Sequence, residues 1–189
     1  MGKGGSKHNH VPEDVEEYLL RCTNFTAREL KKWYKTFMKY CPQERMTTEQ
    51  FIKIYTYFFT EGDASAFAKH VFRTFDKNND GTIDFKEFMS GLSITMHGQR
   101  DDKLRWAFNM MDIDNSGSIS ADELVDLIVS IYKLMGQYES DVSTGPKAEQ
   151  LADHLFSKMD VDSDGGVTLE EFVNTAKDDD DILALFQQC

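Results

Sequence analysis

Apolar residues return every three or four positions along most of this chain, the spacing that lines one face of an α-helix. Leu30, Trp33, Tyr34, Phe37 and Met38 form one such stripe, with Arg28, Lys31, Lys32, Lys35 and Lys39 on the other face. Phe51, Ile54, Tyr55, Phe58 and Phe59 form a second. Thr26 with Glu29, and Thr47 with Gln50, have the spacing of capping boxes, in which two side chains satisfy each other's free backbone N–H groups at a helix start. Ser120 with Glu123 and Thr168 with Glu171 repeat the signal further on. Pro12 suits the first turn of an opening helix running to about Cys22. Other helices are expected over 64–75, 85–93, 103–111, from Ser120 to Leu134, and from Pro146 onward. Gly62 and Gly136 are expected to stop helices, and Thr95–Arg100 with Gly98 to form a hinge. Gln137–Gly145 reads as a polar connector, and the acids Asp178–Asp181 suit the start of a short final helix over Ile182–Phe186.

Between these helices lie polar stretches with a common grammar. Asp76–Glu87 reads DKNNDGTIDFKE, with oxygen side chains at its first, third, fifth, ninth and twelfth positions and Gly81 sixth. A hard cation such as Ca²⁺ takes six to eight oxygens, and the glycine permits the sharp turn that wraps them round it. Asp112–Glu123 (DIDNSGSISADE) and Asp160–Glu171 (DVDSDGGVTLEE) follow the same pattern. A single acidic turn needs no metal; three in one register point to three calcium sites. The expected ligands are Asp76, Asn78, Asp80, the Thr82 carbonyl and Glu87; Asp112, Asp114, Ser116, the Ser118 carbonyl and Glu123; and Asp160, Asp162, Asp164, the Gly166 carbonyl and Glu171.

Lys39–Gln50 occupies the place of a further loop but has lost its donors. Lysine stands first, Cys41 third, Glu44 in the glycine position and Gln50 last, and Pro42 restrains the backbone. It reads as a hand without metal, kept because its helices still pack, with Cys41 as a small buried hydrophobe. The eighth position is apolar in all four loops, as Met46, Ile83, Ile119 and Val167, and is expected to join loops in twos. The fold class that follows is all-α: four EF-hands in two lobes, each pair joined by a short antiparallel β-bridge between its loops. The divisions are 1–24 for a tail and first helix, 25–97 for the first pair, 98–177 for the second and 178–189 for the final helix.

Charge supports this division of labour. The net charge is −12, and the three complete loops carry thirteen acids against only Lys77 and Lys86. The acidity is therefore that of the metal loops, and no nucleic-acid partner is expected. With 40% hydrophobic and 12% aromatic residues the chain can build a core. Cys22, Cys41 and Cys189, with no secretory segment, suggest a reduced cytoplasmic setting. No apolar run is long enough to cross a bilayer, and the ending at Cys189 is not a prenylation signal. The opening MGKGGSK fits the N-myristoylation pattern at Gly2, and equally a flexible tail. Lys3 and Lys7 suit an anionic membrane surface, and the basic face of 28–39 is either solvated or a second lipid patch. His8 and His10 read as solvated residues of the tail.

The loop without ligands around Cys41-Pro42, the three complete loops and the MGxxxS start resemble the neuronal calcium sensor family, which takes in the recoverin, visinin-like, hippocalcin, neurocalcin and frequenin groups. FRTFDKNNDGTIDFKEF, KLRWAFNMMDID and FSKMD resemble the visinin-like and hippocalcin branch most closely. The resemblance implies an acyl chain held in an aromatic groove and extruded when calcium binds. The matching positions are Phe25, Trp33, Phe51, Tyr55, Phe58, Phe85, Phe88 and Leu92. It implies peripheral association with the cytosolic face of a membrane through the acyl chain and basic N-terminus. It also implies capture of an amphipathic helix from a target such as a kinase, cyclase, receptor or channel regulator. Glu44 departs from the glycine usual at that position, and the tail after the last hand is shorter than in many members. The expected activity is that of a calcium sensor, with a calcium buffer on a constant lipid anchor as the alternative. No nucleophile–base pair, phosphate loop or zinc spacing suggests an enzyme.

Overall fold

The computed structural model describes residues 10–137, 144–179 and 182, with side chains from Lys147 onward in the second stretch. Gly2, Lys3, Lys7, His8, the connector 138–143, residues 183–186 and Cys189 lie outside the described residues. In chain order the elements are α1 (Glu13–Cys22), α2 (Ala27–Tyr40), β1 (Arg45–Thr47), α3 (Thr48–Phe58), α4 (Ser65–Phe75), β2 (Thr82–Asp84), α5 (Phe85–His97), α6 (Arg100–Met111), β3 (Ser118–Ile119), α7 (Ala121–Leu134), α8 (Thr144–Met159), β4 (Val167–Thr168) and α9 (Leu169–Asp178).

Local chemistry sets the helix starts. Thr26 Oγ1 accepts from the Glu29 backbone N–H at 3.3 Å, and the Glu29 carboxylate accepts from that of Thr26 at 2.8 Å. The same reciprocal bond opens α3 at Thr47 and Gln50, α7 at Ser120 and Glu123, and α9 at Thr168 and Glu171. A fifth box, at the same spacing but with an aspartate in place of Ser or Thr, opens α5. There Asp84, a position-nine oxygen in the sequence pattern, accepts from the Glu87 N–H at 2.8 Å and acts as the N-cap.

The loops pair as their apolar eighth positions require. β1 and β2 are antiparallel with Met46 opposite Ile83, and β3 and β4 are antiparallel with Ile119 opposite Val167. All four side chains are buried. In the N-terminal lobe an aromatic cluster fills the space between helices. Phe85 meets Tyr34 and Phe37 at ring distances of 4.9 and 5.6 Å, and Phe51 meets Phe72 and Phe75 at 5.7 and 5.8 Å. Leu19 carries α1 onto this core and is fully buried. Cys41 is fully buried as well, and burial pushes its thiol up. The C-terminal lobe closes around Leu124, Leu127, Ile128 and the Phe108–Phe172 pair.

Helix α4 ties the lobes together by lying against both α6 and α7. The half-buried Arg73 donates from Nη2 to the Met110 carbonyl at 3.0 Å. Behind α4, the turn after α3 meets the end of α7, where the Asp63 N–H donates to the Lys133 carbonyl at 2.8 Å. Gly136 stops α7 as expected: it has φ +65°, and the Gly136 and Gln137 N–H groups return to the Lys133 and Tyr132 carbonyls. Gly62 does something else. Helix α3 has already ended at Phe58, and Gly62 instead lets two backbones meet, since a Cβ there would lie 2.1 Å from the Lys133 carbonyl oxygen. Gly62→Ala should therefore force the lobes apart locally and cost about 1–3 kcal/mol, the usual range for overpacking. Denaturant unfolding measures this, and an unchanged midpoint and slope would mean that the two turns are not in contact in solution.

Candidate metal centre

Each complete loop uses one hydrogen-bond scheme. The position-one aspartate accepts twice from the backbone. Asp76 takes the N–H groups of Asp80 and Gly81 at 3.1 and 2.9 Å, Asp112 those of Ser116 and Gly117 at 2.9 and 3.0 Å, and Asp160 those of Asp164 and Gly165, both at 3.2 Å. The position-three side chain accepts from the position-five N–H: Asn78 at 2.8 Å, Asp114 at 2.9 Å and Asp162 at 3.1 Å. These bonds wind the loop inward and turn its side-chain oxygens toward one centre. Two left-handed residues make the turn possible. Asn79, Asn115 and Ser163 have φ of 55–59°, and Gly81, Gly117 and Gly165 have φ of 82–92°. Asparagine is among the residues most often found at the first of these, where the third loop has Ser163, and glycine takes the second without strain.

The closing glutamate spans the loop. Glu87 accepts from the Asn78 N–H at 3.2 Å with one oxygen and from the Asp84 N–H at 3.1 Å with the other. Glu123 does the same with Ile113 and Ser120 at 2.7 and 2.8 Å, and Glu171 with Val161 and Thr168 at 3.1 and 2.9 Å. One carboxylate therefore links the start of each loop to the first turn of its exit helix. Burial raises the Glu87 carboxyl above its usual range, against the backbone donors that lower it. The more exposed Glu171 is held low, chiefly by the Thr168 hydroxyl.

Two groups of carboxylates gather closely among the described residues. Oxygens of Asp112, Asp114 and Glu123, and of Asp160, Asp162 and Asp164, lie within 4.8 Å of one another. Like charges this close repel, and a divalent cation relieves the repulsion. An all-oxygen donor set of this kind fits a hard ion. In the loop 76–87 the fifth-position Asp80 accepts from the Thr82 N–H with Oδ1, as Asp164 does from Gly166, and also accepts from the Thr82 hydroxyl and the Arg45 guanidinium. The fifth-position Ser116 differs again, donating its hydroxyl to the Ser118 carbonyl at 2.9 Å.

The loop 39–50 keeps the frame without the donors. Gln50 accepts from the Thr47 N–H at 2.9 Å, as the glutamates do at their caps. Glu44 holds the left-handed turn at φ 63° that glycine holds elsewhere. The position-four residue is Pro42, whose ring excludes a positive φ. Lys39 sits over the Tyr40 ring at 5.7 Å.

Of the aromatic positions singled out in the sequence, Phe25, Phe51 and Phe85 are buried, while Trp33, Tyr55, Phe88 and Leu92 are partly buried against the N-terminal core. Phe88 lies 6.0 Å from Trp33 and 5.5 Å from Phe37. Phe58 stands apart at the end of α3, 72% exposed and edge-on to Tyr57.

Comparison with known proteins agrees with this geometry. Residues 101–177 match the EF-hand domain pair family, and residues 67–95 match the EF hand domain family. Neuronal calcium sensor 1 of Lymnaea stagnalis is 42% identical over 189 residues, covering 100% of this chain and 97% of its own. Human recoverin is 37% identical over 188 residues, covering 97% and 93%, and S-modulin of Aquarana catesbeiana is 38% identical over 189 residues, covering 97% and 92%. With relatives at this identity over nearly the whole chain, and hands whose loops pair in two lobes, the chain belongs to the neuronal calcium sensor family of EF-hand proteins.

Proposed function

We propose that this protein is a calcium sensor that takes three Ca²⁺ ions and converts their binding into membrane association and target capture. The observation that supports this most is the closing carboxylate. Glu87, Glu123 and Glu171 are each the twelfth loop residue and the third residue of an exit helix. A bound Ca²⁺ supplies the double positive charge that lets the crowded carboxylates converge. Asp76, Asn78, Asp80, Thr82 and Glu87 would hold one ion; Asp112, Asp114, Ser116, Ser118 and Glu123 a second; Asp160, Asp162, Asp164, Gly166 and Glu171 a third. Movement of the closing carboxylate carries the first turn of α5, α7 or α9 with it, because the same group caps that helix. Helix reorientation of this kind opens an apolar groove in sensor hands.

The groove is assigned to the N-terminal lobe, where Trp33, Tyr55, Phe88 and Leu92 are only partly covered and Phe58 is exposed. It would shelter a myristoyl group on Gly2 or take the apolar face of a target helix. One myristoyl chain binds membranes only marginally, so a modest change in its shelter tips the balance. Among the described residues no helix is long and apolar enough to cross a membrane, so attachment rests on the acyl chain with Lys3 and Lys7. A buffer would leave these aromatics undisturbed when its loops fill.

Calorimetry on the metal-free chain should give three ions per molecule, and Glu87→Gln, Glu123→Gln and Glu171→Gln should each remove one. A variant that keeps all three removes the closing-ligand assignment from its loop. Sedimentation with anionic liposomes tests the switch: acylated wild type should pellet with calcium and stay in solution with chelator, while Gly2→Ala stays in solution in both. Pelleting of the wild type under both conditions would establish a constant anchor instead.

A further inference from the structure

We propose that Arg45, in the hand that has no ligands of its own, is a tethered competitor for the ion at the neighbouring loop 76–87. The guanidinium pairs with Asp80 Oδ2 and donates from Nη1 to Thr82 Oγ1 at 3.0 Å. Asp80 is the fifth-position donor of that loop, so one cation is already on a carboxylate that calcium needs. The inference rests on the reading of 76–87 as a calcium site and adds a control on it.

Strand register explains why this arginine reaches the loop. Arg45 is the seventh residue of the loop 39–50 and sits on β1 opposite Asp84, at the mouth of its partner loop. The counterpart in the other lobe is Ser118, opposite Thr168. Ser118 is short and uncharged, and among the described residues no cation is paired with Asp164, the counterpart of Asp80.

A seventh-position side chain is free to take this role in the 39–50 loop because that loop binds nothing. In a working loop the seventh residue contributes its carbonyl inward, and a long cation beside it would oppose the ion. The Arg45 and Asp80 side chains are 51% and 36% exposed, so the pair is screened and its effect is graded. The hand without metal thereby raises the calcium concentration at which the N-terminal lobe fills, leaving the two C-terminal loops to respond first.

The test uses the full-length chain carrying Glu123→Gln and Glu171→Gln, so that only the loop 76–87 remains. Calcium is titrated calorimetrically into this parent and into versions also carrying Arg45→Gln, Arg45→Met or Arg45→Lys. Both neutral variants should bind about three- to tenfold more tightly than the parent, as expected for removing a partly screened charge beside the site. Arg45→Lys should stay within about twofold of the parent, and the gain of the neutral variants should shrink at about 1 M salt, where surface charges are screened. Unchanged or weaker binding by the neutral variants, or divergence between them, overturns the proposal. A parent that binds no calcium instead overturns the reading of 76–87 as a site, and the role of Arg45 falls with it.

Discussion

The structure depends on a carboxylate that serves two elements at once. In each complete loop the last glutamate accepts a backbone N–H from the loop start with one oxygen and from the N-cap residue of the exit helix with the other. A capping box would form with glutamine, as at Thr47 and Gln50. Glutamate adds a charge that only a cation or several donors can satisfy, and the loops bring acids around it. Helix start and proposed ion site are thus the same group of atoms. A sensor needs this coincidence, because a ligand that touched only the loop would have no lever on the helices.

The 39–50 loop separates what the fold needs from what calcium needs. It keeps the β1–β2 ladder, the buried Met46 and Cys41, the cap on α3 and the left-handed turn at Glu44. What it has lost are the donors and the second left-handed residue, since Pro42 cannot adopt one. A non-glycine residue at positive φ carries a cost of roughly 1 kcal/mol or more. The turn persists because the ladder and the core on either side of it define the backbone path. The partner loop depends on that path, because among the described residues β2 pairs with β1 and no other strand.

Most of the architecture was legible because it is local. Stripes at helical spacing, boxes three residues apart and a glycine at the sixth loop position act over short separations, and each became the element expected of it. The apolar eighth position reached further and still gave the loop pairs, since four buried residues have few places to go. Three features escaped. The capping role of Asp84 was hidden because one residue type serves as either ligand or N-cap. Gly62 reads as a helix stop, yet its reason for being glycine lies in the Lys133 carbonyl, which only the assembled lobes bring near. Arg45 and Asp80 are separated by 35 positions and meet only once the strand register is known. The last two are contacts between elements, which no short stretch of sequence contains.

Those contacts also bear on how the two lobes communicate. Helix α4 enters the 76–87 loop, while α7 leaves the 112–123 loop, and the two lie against each other across the lobe boundary. Arg73 is bonded to the carbonyl of Met110, two residues before Asp112 opens the second loop. It feels the acids of that loop, Glu123 and Asp112, which favour its charge against the burial that opposes it. Behind it, Gly62 and Gly136 bring backbone against backbone, where a displacement cannot be absorbed by a side-chain rotation. The end of α7 and the start of α4 are therefore joined by a backbone contact at Gly62 and Gly136, and α4 is held to the end of α6 by a half-buried charge. The contacts between the lobes thus run through the entering helix of one loop and the exit helix of another, which joins the 76–87 and 112–123 loops by a path of packed residues.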